Sequence, residues 1–114
     1  MVSIVTAGKM ALSLAGVEEK EHFGHPSFRV KNKIFMTLWP ADKRAMVRLP
    51  IIEQSVFCSF PGEVFFPVPG KWGAGGATFV DLTKVRKGML QDAIGVAYRH
   101  TAPKSARSVG GSQS

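Results

Sequence analysis

Three histidines and one cysteine are the side chains here best able to hold a metal or attack a substrate. Their spacing supports neither role. His22 and His25 stand three positions apart, while Cys58 and His100 are distant from them and from each other. A zinc site takes four ligands, or three and a water, and no Cys-x-x-Cys or His-Glu-x-x-His pattern supplies them. No metal and no cofactor is expected. The histidines read as turn and surface residues, with His25, beside Pro26, supporting a turn. Cys58 lies in the apolar run Val56-Phe57-Cys58 with no base next to it, and a buried cysteine of that kind is inert. Gly70, Gly73, Gly75 and Gly76 suggest a phosphate loop, but the Gly-Lys-Ser/Thr ending is missing and a strand follows where a helix should. They read as a hairpin loop. With no catalytic constellation, the chain is not expected to be an enzyme.

Binding chemistry is better represented. Arg29, Lys31 and Lys33 surround one expected hairpin turn, and Lys71 and Trp72 lie in a second, glycine-rich connection. Arg44 and Arg48 fall on the strand expected between them. Two basic hairpins can straddle phosphates, which provide affinity rather than sequence reading. Aromatic rings stack on bases; Trp39, Phe65 and Phe66 read as core, and Trp72, beside Lys71 in a flexible loop, is the exception.

The balance of charge agrees. Formal net charge is +7 over 114 residues. Lys104 and Arg107 in the tail account for two of those charges, so the body carries the other five. A basic body favours anionic partners such as nucleic acid or lipid headgroups. Hydrophobic residues make up 45%, enough for one packed core. No run of about 18 apolar residues exists, so no membrane span is expected. The N-terminus lacks a basic residue before Lys9 and reads as a helix rather than a signal peptide. One cysteine rules out an internal disulfide and fits a reducing, cytoplasmic compartment.

The element that organises the rest is residues 21–40. Ser27-Phe28-Arg29-Val30-Lys31 alternates apolar and polar, as a strand with one buried face does. Asn32-Lys33 is the expected turn, and residues 34–39 form a nearly continuous apolar run, as in an interior strand. This register opposes Lys31 to Ile34 and Val30 to Phe35. It sets Phe28, Val30, Phe35 and Thr37 on one face, and Arg29, Lys31, Ile34, Met36 and Leu38 on the other. A helix is expected over residues 3–15, buried through Val5, Leu12 and Ala15 with Met10 and Leu14 beside them. Gly8 weakens it and Gly16 ends it. A short strand covers 18–23, and Gly24-His25-Pro26 breaks it. After a turn at 40–43, a strand covers 44–49. Pro50 opens a helix over 51–59, buried through Ile52, Val56, Phe57 and Phe60. Residues 64–68 form a strand that Pro67 assigns to an edge, and 77–82 form the last strand. Thr83 is the expected cap of a helix over 84–102, with Val85, Leu90, Ile94, Ala97 and Tyr98 as its core. The sum is one α+β domain over residues 1–103: a two-layer fold, an antiparallel β-sheet with helices packed mainly on one face. Residues 104–114 are expected to be a disordered tail.

Several motifs in order carry a resemblance. Gly16-Val17-Glu18-Glu19, His22-Phe23-Gly24-His25-Pro26-Ser27-Phe28 and Lys33-Ile34-Phe35 are followed by Phe65-Phe66-Pro67-Val68-Pro69-Gly70-Lys71-Trp72-Gly73 and Thr78-Phe79-Val80-Asp81-Leu82. Over roughly residues 8–104 the chain resembles the MmcQ/YjbR family of small bacterial proteins. The resemblance implies the same compact two-layer α+β fold, and DNA binding through two wing-like hairpins. The chain departs from the family at Ala77, where a Trp is usual before the Thr of the last strand.

The reading is therefore a non-enzymatic, cytoplasmic DNA-binding module, expected to act as a monomer. Arg29, Lys31, Lys33, Arg44, Arg48 and Lys71 are its candidate phosphate contacts, and Trp72 packs on sugar or base. The alternative is a protein-interaction module whose sheet or apolar groove receives a partner, since folds of this shape also resemble secretion chaperones. An iron-handling role like that of frataxin, whose fold the family also resembles, needs a strip of carboxylates on the first helix. No acid occurs between Ser3 and Ala15.

Overall fold

The computed structural model describes residues 1–102, so the expected tail at 104–114 lies outside the described residues. Helix α1 (Ile4–Leu12) precedes strands β1 (Val17–His22), β2 (His25–Val30), β3 (Lys33–Trp39) and β4 (Arg44–Arg48). Helix α2 (Ile51–Cys58), strand β5 (Phe65–Pro67), a single helical turn α3 (Lys71–Ala74), strand β6 (Ala77–Asp81) and helix α4 (Lys87–Thr101) follow. The strands form one sheet in the order β1-β2-β3-β4-β6-β5, with every neighbouring pair antiparallel. This is the expected α+β architecture. β3 is interior, as its apolar run required, and the Pro67 strand is at an edge.

The central hairpin differs from expectation by one residue. Val30 pairs with Lys33 and Arg29 with Ile34, so the two turn residues are Lys31 and Asn32, not Asn32 and Lys33. Both have positive φ, 51° and 69°, the geometry of the tight turn that follows strand twist. A bulge then shifts the register, and Phe28 pairs with Met36. The bulge overturns the expected faces: Phe35 and Met36, adjacent in sequence, both enter the core with Phe28, Val30 and Leu38. An extra residue in one strand is what lets two neighbours turn to one side.

α1 and α4 cover the core face of the sheet. Ser3 caps α1, its Oγ accepting from the Thr6 N–H at 3.1 Å. The face α1 buries is Ala7, Gly8 and Ala11, not Val5 and Leu12, which remain exposed. Small residues win because they bring the helix close to the sheet: a Cβ on Gly8 would stand 3.3 Å from the Phe28 ring. The expected core of α4 is correct, and Val85, Leu90, Ile94, Ala97 and Tyr98 are all buried. Its start is not. The N-cap position is Arg86, and Thr83 instead closes a turn, its N–H and hydroxyl both donating to Asp81 Oδ1 at 2.9 and 2.6 Å. α2 also presents a different face. Phe57 is buried as expected, but with Gln54, whereas Ile52, Val56 and Phe60 are exposed.

Candidate nucleic-acid interface

Strand alternation leaves the second face of the sheet without a helical layer. Ser27 pairs with Thr37, Thr37 with Met46, and Met46 with Phe79, so these side chains share that face. A groove of about 560 Å³ runs over it. Its floor is aromatic. His25 stacks on Trp39 with centroids 4.1 Å apart, and Trp39 meets Phe79 edge-on at 5.2 Å. The Trp39 indole N–H donates to Thr37 Oγ1 at 3.0 Å, which satisfies the ring's one polar atom.

Two exposed aromatics border the groove. Phe23 is 89% exposed. It forms, with Gly24, the two-residue turn between the paired His22 and His25. Its φ is 52°, a left-handed backbone that a bulky residue rarely adopts. Trp72 is 76% exposed and lies in the α3 turn.

That turn replaces the flexible loop the glycines suggested. Gly73 approaches Val68 so closely that a Cβ would stand 1.7 Å from the Val68 carbonyl oxygen. At Gly76, with φ +111°, a Cβ would stand 2.0 Å from the Leu49 carbonyl oxygen. These two glycines are there for close contact. Gln54, buried on α2, fastens the segment: its Nε2 donates to Gly73 O at 2.8 Å, Thr78 Oγ1 at 3.1 Å and Ala77 O at 3.2 Å.

The candidate cations divide into three groups. Arg48 and Lys71 line the groove with Trp72. Lys31 and Lys33 do not line it, but Lys31 lies in the turn after β2 and Lys33 begins β3, at the same end of the sheet at which β4 closes on Arg48 and β6 begins. At the usual strand spacing, β2 to β6 is about 14 Å. Arg29 and Arg44 have partners of their own. Arg29 faces Glu18 across the β1–β2 ladder and donates from Nε to Ser27 Oγ at 3.2 Å. Arg44 is at the other end of β4, 3.9 Å above the Phe79 ring and 3.9 Å from the Asp42 carboxylate.

Sequence reasoning missed Phe23, His25 and Gln54. The one signal for Phe23 was its place before Gly24 between two histidines, a pattern that fits a two-residue turn with an exposed ring. Ala77, where the resemblance leads one to expect Trp, lines the groove, and the smaller side chain leaves the floor open there. Cys58 is partly buried on α2, and burial pushes its thiol pKa up, which disfavours the thiolate. Among the described residues, no three of His, Cys, Asp and Glu gather as a metal-holding group, and no helix is long and apolar enough to cross a membrane.

The family model described as YjbR matches residues 12–100. No curated protein matches the chain.

Proposed function

This chain belongs to the YjbR family, and on that premise we propose that it is a non-enzymatic DNA-binding module. The observation that carries the reading is the group of cations at one end of the sheet, Lys31 and Lys33 on the central hairpin, Arg48 on β4 and Lys71 on α3. A net charge of +7 stands behind them. Cations held on ordered strands and turns meet phosphates without ordering a flexible segment first, so little entropy opposes binding. Arg29 and Arg44 serve the fold more than the ligand, because Ser27, Phe79 and Asp42 already engage them.

The test is fluorescence anisotropy with a labelled duplex at several salt concentrations. Changing Lys31 and Lys33 together to Ala is expected to weaken binding to all sequences alike and to flatten the salt slope by about 2. An unchanged affinity and slope would remove the central hairpin from the contact. A second reading, a protein-interaction module, draws on Ile51, Ile52, Val56 and Phe60, which α2 and the residues after it leave exposed. Apolar patches of this kind mark partner surfaces. Absence of DNA binding even at low salt would favour it.

A further inference from the structure

We propose that the groove on the open sheet face binds unpaired bases, so that the preferred ligand is single-stranded rather than duplex DNA. This rests on the DNA-binding reading and specifies the form of DNA. In a duplex the bases are stacked on one another, and a protein meets phosphates, sugars and base edges. An aromatic groove has no use for that surface. Unpaired bases offer free faces, and successive rings can stack on them.

Three features of the groove match that ligand. Phe23 and Trp72 stand exposed at its border, contributed by opposite halves of the sheet. The floor is set in advance: His25 and Phe79 hold the Trp39 ring, and Thr37 takes its N–H, so no ligand atom is needed to satisfy it. Charge is complementary as well. Among the described residues, Arg48 and Lys71 line the groove and no carboxylate does, so a phosphate beside a stacked base meets cations there. Phe23 adds an energetic argument. An apolar ring in water, on a backbone with φ 52°, is unfavourable in the free protein for two reasons. Such backbone outliers cluster at ligand-contact sites, and Phe23, whose ring touches the edge of His22, leaves most of its surface open to a base.

The experiment compares a labelled oligothymidylate with a labelled duplex of equal length, by anisotropy at one low salt concentration. The parent protein is expected to bind the single strand at least about tenfold more tightly, with tryptophan quenching that the duplex does not produce. Trp72→Ala is expected to lower single-strand affinity by about fivefold to a hundredfold, the range for losing one base stack, and to lower duplex affinity by clearly less. Phe23→Ser is a second variant at an exposed turn, and a circular dichroism melt of both checks that each is folded. Equal binding of both forms, or a Trp72→Ala loss shared equally between them, overturns the groove assignment and leaves the DNA-binding reading standing. Failure of the parent to bind either form at low salt removes both.

Discussion

Phe35 has no exposed surface and meets the Tyr98 ring edge-on, with centroids 5.7 Å apart. It therefore joins β3 to α4, the longest helix, across the core. Phe35→Ala removes that ring and leaves a cavity, at an expected cost of about 3–5 kcal/mol. A denaturant melt measures it, and the loss is a large part of a small domain's stability. The open face follows a different residue logic. Its aromatics are ordered by one another: His25 on Trp39, Trp39 on Phe79, and Arg44 over Phe79. Among the described residues, buried His25 Nδ1 and Arg44 Nε have no hydrogen-bond partner; the Trp39 ring holds His25, and the Phe79 ring together with the Asp42 carboxylate holds Arg44. Trp39 read as core from the sequence because a half-buried ring in a floor and a fully buried ring leave the same trace in an apolar run.

At the scale of elements, the α3 turn links fold to site. It has four residues and no core side chain of its own, so it depends on its neighbours. Gln54 supplies the tie from α2. Gly73 O and Ala77 O each keep a second partner, the N–H groups of Gly76 and Val68. Gln54→Ala is therefore expected to cost about 1–3 kcal/mol, the range for one buried hydrogen-bonding group, rather than to unfold the domain. A denaturant melt gives the magnitude, and faster hydrogen exchange at the Gly75 and Gly76 amides would show that the loss falls on the turn. This tie was not legible beforehand, because a Gln inside an apolar helical stripe reads as an exposed position. The turn of the central hairpin was legible to within one residue, since Asn32 belongs to it in either alignment, but the faces were not, because the bulge that sends both Phe35 and Met36 into the core leaves no trace in an apolar run.

For the whole molecule, the deciding property is where the charge accumulates. β1 carries Glu18, Glu19 and Glu21 along one edge, while Lys31, Lys33, Arg48 and Lys71 occupy one end of the sheet. On the proposed reading these four cations meet four phosphates and release condensed counterions, so log K is expected to fall with log salt at a slope of roughly −3 to −4. Anisotropy titrations at several salt concentrations measure the slope. A value near zero would place the affinity in apolar contact instead of in those cations.

By itself the sequence determined the class of fold, the interior strand and the α4 core, because each follows from a local period: two for strands, near four for helices. It also determined the excess of positive charge, which is a sum and needs no geometry. Only the tertiary structure decided which side of α1 and α2 is buried, because small residues such as Ala7, Gly8 and Ala11 win by close approach and not by hydrophobicity. It alone decided that Phe23 and Trp72, 49 positions apart in the chain, border one groove. Antiparallel pairing carries a strand's face across its neighbours, and the order β1-β2-β3-β4-β6-β5 unites the two halves of the sheet on a single surface.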